Sequence, residues 1–145
     1  MKLLLAVDGS PFSIKAVRYI ATHFDVFGAG TELHLLAVKL PIPSGLALVQ
    51  ANRILGNEAI ANYYRDEARA MLTPSEKILH DAEIPFQSGY KVGPVAEQII
   101  DTASTEKMDM IVIGSHGHGA LANVLMGSVA TRVLAAATVP VLIIR

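Results

Sequence analysis

Between Met110 and Ala137 the chain carries Gly114, Gly117, Gly119 and Gly127, with Ser128 directly after the last glycine and His116 and His118 among them. The apolar run Met110-Ile111-Val112-Ile113 precedes this stretch, and a second apolar segment, Val129 to Ala137, follows it. A strand, a glycine-bearing loop and a helix start in that order make an anion cradle. Glycine lets backbone approach a ligand with no Cβ in the way, and the first N–H groups of a helix lack intrahelical acceptors and point outward. The chemistry this pattern offers is phosphate binding by main chain, with Gly117 and Gly127 expected at positive φ. Isolated glycines also serve tight connections and helix caps, but three at the spacing Gly114-x2-Gly117-x9-Gly127 followed by Ser128 argue for the cradle. No lysine follows the last glycine, which excludes a Walker A loop, and the glycines are spread too widely for a dinucleotide fingerprint. His116-Gly117-His118 has no third ligand within sequence reach and no nearby carboxylate, so no metal ligand is assigned.

The elements that must position this loop are legible from apolar periodicity. Leu3 to Val7 reads as a strand ending at Asp8-Gly9-Ser10-Pro11, where Ser10 can cap a helix and Pro11 occupies its first position. Ile14, Val17, Ala21 and Phe24 form the buried stripe of that helix, closed by Gly28-Ala29-Gly30. Leu33 to Val38 is a second strand, stopped by Pro41 and Pro43. From Leu46 to His80 the pattern is helical with Ile54, Ala61, Tyr64, Ala68 and Met71 on one face. Thr73-Pro74-Ser75-Glu76 reads as a capping box and predicts a kink or stop near Leu72.

Phe86 to Val92 has the alternation of an edge strand, and Gly93-Pro94 opens a helix with Val95, Ile99, Ile100 and Ala103 inward. After Met110 to Ile113 and the glycine loop come a helix from about Gly127 and a last strand, Val139 to Ile144, in which Pro140 argues for a sheet edge. Continuous apolar strands alternating with amphipathic helices indicate a doubly wound α/β domain, a five-stranded parallel sheet with helices on both faces. Ligands of such sheets sit beyond the carboxyl ends of the strands where strand order reverses, which brings Asp8, the loop after Val38 and the Gly114 loop to one rim. Asp8 can there cap the following helix, meet the ligand, or do both.

Composition narrows the partners. At 145 residues the chain reads as one domain, 1–145. The formal net charge is -1 with scattered lysines and arginines, which speaks against nucleic acid and membrane surfaces as partners. There is no cysteine, so disulfides, thiolate metal sites and cysteine nucleophiles are excluded. The opening apolar run, Leu3 to Val7, is too short for a signal peptide or a membrane span, and the default expectation is a cytoplasmic protein.

Three features together resemble the universal stress protein family, ATP-binding type: Val7-Asp8-Gly9-Ser10 ending the first strand, the Gly114-x2-Gly117-x9-Gly127-Ser128 spacing, and the closing Val139-Pro140-Val141-Leu142-Ile143-Ile144. The resemblance spans essentially the whole chain. It implies strand order 3-2-1-4-5, a homodimer paired through the last strand, and ATP held at the rim. Asp8 would then lie near adenine and ribose, and the main chain at Val38 would meet the adenine edge. Gly114 would lie beside the ribose, and His116 and Gly117 would border the phosphates. Gly127, Ser128 and Val129 would present N–H groups, and Ser128 its hydroxyl, to the β and γ positions. Pro74 and the additional glycine after His118 depart from the family pattern without touching the motif glycines.

One helix end stabilises an anion by about 0.3 to 2 kcal/mol, whereas micromolar affinity needs roughly 8 kcal/mol. Several main-chain hydrogen bonds, burial of adenine and Mg²⁺ on the triphosphate must supply the remainder. The function implied is an ATP-binding regulatory module of the stress response, with no catalytic residue assigned. The alternative is a slow ATPase or self-phosphorylating enzyme using the same site. A phosphoacceptor receiver domain of similar architecture is disfavoured, because Asp8 stands alone at the first strand and neither an aspartate closing the third strand nor a lysine closing the fifth is present.

Overall fold

A computed structural model describes residues 1–43, 46–118 and 125–145. The apolar runs become five strands, β1 (Lys2–Val7), β2 (Glu32–Lys39), β3 (Phe86–Val92), β4 (Met110–Gly114) and β5 (Val141–Ile144). They pair in parallel in the order β3-β2-β1-β4-β5, with Leu5 of the central strand opposite Leu35 on one side and Val112 on the other. The helices are α1 (Pro11–Thr22), α2 (Leu46–Asp81), α3 (Val95–Thr105) and α4 (Ser128–Ala136).

Strand side chains alternate between two cores. Leu3, Leu5, Val7, Leu33, Leu35 and Ala37 pack with Val17 and Ile20 of α1 and Leu72 and Leu79 of α2. Leu4, Ala6, Leu36, Val38, Ile111 and Ile113 face the other way, onto Ile99 and Ala103 of α3 and Val133 of α4. Burial on both faces is why these strands are continuously apolar rather than alternating. The chain winds outward from β1 to β2 and β3, then crosses back to β4, so the direction of winding reverses between β1 and β4. A crevice opens there at the carboxyl ends of the strands.

The long helix departs from its expected form. Pro74 lies inside α2 without ending it, and the break falls instead at Gly56, which adopts φ 77° and ψ 165°. A proline in a helix interior costs about 3 kcal/mol, while full burial of a leucine contributes about 1.5 to 3 kcal/mol. Leu72 and Leu79 are buried on either side of Pro74, so packing carries the helix through. The Pro74 ring faces solvent, and the neighbouring Thr73 hydroxyl donates to the Arg69 carbonyl at 2.8 Å. Because the helix turns at Gly56, the face expected to bury Ile54 does not persist. Ile54 is 80% exposed and Ala61 is exposed, whereas Ala68 is buried and Tyr64 and Met71 are half-buried.

Smaller differences occur at two ends. α1 stops at Thr22, and Phe24 belongs to a separate 3₁₀ turn, Phe24–Phe27, closed by Gly28 at φ 88°. β5 starts at Val141 rather than Val139, since Pro140 has no N–H to give. Its carbonyl still accepts from the Ile111 N–H at 3.0 Å.

Candidate functional site

The first wall of the crevice is the turn between β1 and α1. Gly9 takes φ 77° there, a conformation that L side chains rarely adopt. The Ser10 N–H donates to Asp8 Oδ1 at 2.9 Å, which bends the chain into the helix. Ser10 is the cap: its hydroxyl oxygen accepts from the Ser13 N–H at 3.3 Å, the Ser13 hydroxyl donates back to the Ser10 carbonyl at 3.1 Å, and Pro11 follows at the first position. Asp8 therefore shapes the turn without capping the helix itself, and its carboxylate stays at the crevice.

The second wall is the glycine loop, in which each glycine answers a different constraint. A Cβ on Gly114 would lie 2.7 to 2.9 Å from backbone atoms of Phe12 and Ser13, so this glycine lets the end of β4 press against the start of α1. A Cβ on Gly117 would lie 2.6 Å from Asp8 Oδ2, and one on Gly127 would lie 3.2 Å from His116 Cα and the Ser115 carbonyl. The expectation of positive φ fails at both Gly117 and Gly127; Gly127 has φ -67°. Close approach, not left-handed backbone, is what these two positions require.

Gly127 is also not the phosphate donor expected of it. Its N–H donates to the Ser115 carbonyl at 2.7 Å, closing the loop, while the Ser115 N–H donates to the Ile144 carbonyl at 2.7 Å. Gly127 is the N-cap of α4, whose ladder begins with the Thr131 N–H donating to the Gly127 carbonyl at 3.0 Å. The first-turn N–H groups of Ser128, Val129 and Ala130 precede that ladder and have no acceptor within the helix. Ser128 is exposed and Val129 half-buried.

Two histidines edge the loop. Nδ1 of His116 lies 3.0 Å from the Ser115 hydroxyl, and its ring packs 4.9 Å from that of Phe12. Ser115 is only 1% exposed, so this serine–histidine pair cannot meet a substrate as a nucleophile and base. Nε2 of His118 lies 2.8 Å from the Asp8 carbonyl and ties the loop to the β1–α1 turn.

Between these walls lies a cleft of about 470 Å³. Every residue singled out from the sequence lines it: Asp8, Val38, Gly114, His116, Gly117, Gly127, Ser128 and Val129. Ala6, Leu36, Val38, Val95 and Ile99 make part of the lining apolar, while Asp8, Ser13, the two histidines and Ser128 give it polar groups. Gly119 lies outside the described residues, as do residues 44 and 45 of the loop after β2. Among the described residues no three histidine, aspartate or glutamate side chains gather to hold a metal, and no helix is long and apolar enough to cross a membrane.

Lys39 also lines the cleft, and sequence reasoning missed it. Its ammonium bonds Glu67 Oε2 at 2.7 Å, and that hydrogen bond raises its pKa above the ordinary lysine value. The Ile42 N–H donates to the Tyr64 hydroxyl at 2.7 Å, so two contacts pin the end of β2 and the segment after it to α2. The available signal was position: Lys39 follows Val38 at the carboxyl end of β2, on the rim that the winding selects.

Comparison with known proteins agrees with this architecture. The family model described as "Universal stress protein family" matches residues 1–145. Universal stress protein YxiE of Bacillus subtilis is 30% identical over 152 aligned positions, covering 99% of this chain and 98% of that protein. The solved structure of protein MJ0577 of Methanocaldococcus jannaschii superposes with a TM-score of 0.75 at 27% identity, covering 99% of this chain and 94% of the other. The universal stress protein of Archaeoglobus fulgidus in complex with dAMP gives a TM-score of 0.67 at 23% identity, covering 100% and 98%.

Proposed function

The chain belongs to the universal stress protein family, and from that premise we propose that it is an ATP-binding regulatory module of the stress response, acting as a homodimer. The observation that carries this reading is the convergence of apolar side chains, the close approach of Gly117 to Asp8 and the first turn of α4 on one cleft. Adenine lies against Val38, whose main chain discriminates it from guanine. The triphosphate runs past His116 and Gly117 to the N–H groups of Ser128 and Val129 and to the Ser128 hydroxyl. Gly114 borders the ribose, and Gly127 closes the loop that holds the phosphates. The residues present fit a nucleotide, because the cleft joins apolar side chains to the first turn of α4, whose N–H groups precede the helical ladder. Mg²⁺ would arrive on the triphosphate, and Asp8 is the only carboxylate among the described cleft residues that could face it. The dAMP complex of the Archaeoglobus fulgidus relative supports an adenine nucleotide as the ligand class.

Mass spectrometry of small molecules released from freshly purified protein, followed by calorimetric titration with ATP and Mg²⁺, tests the reading. The expected result is an adenine nucleotide in the released pool and saturable heat that GTP does not reproduce. No heat and no thermal shift at millimolar ATP would refute it.

A further inference from the structure

Resting on the nucleotide reading of the cleft, we infer that His118 makes polyphosphate binding proton-linked: the site takes up a proton at this imidazole when it receives a triphosphate. The geometry begins with Nε2 of His118, 2.8 Å from the Asp8 carbonyl. A carbonyl oxygen only accepts, so Nε2 carries the hydrogen, and in the neutral ring Nδ1 is left as an acceptor. A phosphate oxygen is also an acceptor. His118 can therefore offer phosphate a donor at Nδ1 only as the imidazolium, and the bond to Asp8 survives protonation because Nε2–H is present in both forms.

The charges around it make this proton consequential. Asp8 brings a carboxylate from the β1–α1 turn, and His116 is the other titratable group of the glycine loop. Lys39, from the end of β2, already has its ammonium 2.7 Å from Glu67 of α2. Among the described residues the cleft thus holds no cation other than Lys39, and His118, exposed at its edge, is a group that can become one as phosphate charge arrives. The tie to Asp8 fixes where that charge sits.

Titration calorimetry of ATP with Mg²⁺ at pH 7, repeated in buffers of different ionisation enthalpy, counts the protons taken up on binding. His118→Gln keeps an N–H donor for the Asp8 carbonyl and does not titrate, so the difference between the two proteins removes any proton contributed by ATP itself. Because a phosphate oxygen can accept from Nδ1 only when the ring is protonated, binding draws a proton onto the imidazole near neutral pH, and the unaltered protein should bind ATP more tightly than His118→Gln as pH falls. The expected result is a measurably larger proton uptake by the unaltered protein than by His118→Gln with ATP. The gap should be smaller with adenosine, and the affinity ratio of the two proteins should approach one above pH 8.5. His118→Arg, permanently charged, should bind ATP with a flat profile. Equal proton uptake by the unaltered protein and His118→Gln, with ATP bound by both, would overturn this inference alone. Absence of ATP binding by the unaltered protein would overturn the nucleotide reading and this inference with it.

Discussion

Gly114 and Gly117 stand three residues apart in one motif, yet alanine at each should fail in a different way. At Gly114 the new Cβ would meet the Phe12 carbonyl carbon at 2.7 Å, its oxygen at 2.8 Å and the Ser13 nitrogen at 2.9 Å. These are backbone atoms of the first turn of α1, held by the Ser10 cap and by burial of Ser13, Ala16 and Val17. No rotamer relieves the overlap, so α1 must shift by about half an ångström from a packed position, and overpacking of that kind costs about 1 to 3 kcal/mol. For a domain of this size the melting temperature should fall by roughly 3 to 10 °C. At Gly117 the obstruction is the far end of the Asp8 side chain, 2.6 Å away, which can rotate at the expense of its bond from the Ser10 N–H. Gly117→Ala should therefore melt within about 3 °C of the unaltered protein while ATP affinity falls at least tenfold, because the methyl group and the displaced carboxylate occupy the phosphate path. Circular dichroism melts and calorimetric titration on both variants check this. A Gly114→Ala melt unchanged within 1 °C, or a Gly117→Ala protein that binds ATP normally, would refute the division of roles.

Three further outcomes follow from the same geometry. β5 is a half-buried apolar edge, so light scattering should give twice the chain mass, and Val141→Lys or Ile143→Lys should give monomers; a monomeric unaltered protein at tens of micromolar would contradict pairing through this strand. The hydrogen bond from Lys39 to Glu67 raises the folded-state pKa of Lys39, so its stabilisation, about 0.2 to 1 kcal/mol for a partly exposed pair, is complete below the unfolded lysine value near 10.4 and is lost as pH rises through the higher folded value. Urea titrations of the unaltered protein and Lys39→Met at pH 8 and pH 11.5 should show that gap closing at the higher pH. ATP turnover should remain well below the roughly 1 to 100 s⁻¹ of committed kinases, and Ser128→Ala should weaken affinity by about 0.5 to 1.5 kcal/mol, since it removes one hydroxyl and leaves the helix-end N–H groups in place; kinase-like turnover abolished by Ser128→Ala would establish an enzyme instead.

What the sequence determined by itself was local or additive. Continuous apolar runs such as Leu3 to Val7 and Met110 to Ile113 can be buried only in a sheet covered on both faces, and helices between them force parallel winding, so the fold class and the rim at the carboxyl ends were readable. Ser10-Pro11 declared a helix start because capping is chemistry within one turn. The tertiary structure decided whatever depended on contacts between distant segments. Pro74 looked like a helix stop from its own covalent geometry, but Leu72 and Leu79 bury enough apolar surface against the sheet to outweigh it, and the break moved to Gly56. Gly114, Gly117 and Gly127 looked alike in sequence, and only packing distinguishes a glycine under α1, a glycine facing Asp8 and a glycine whose N–H is spent on Ser115. Lys39 and His118 joined the cleft because β2 and the glycine loop end beside the β1–α1 turn, a proximity set by strand order rather than by spacing along the chain. Hydrophobic pattern selects the architecture because burial sums over many residues, whereas the placement of a single charge or N–H rests on a few ångströms that many distant residues set together.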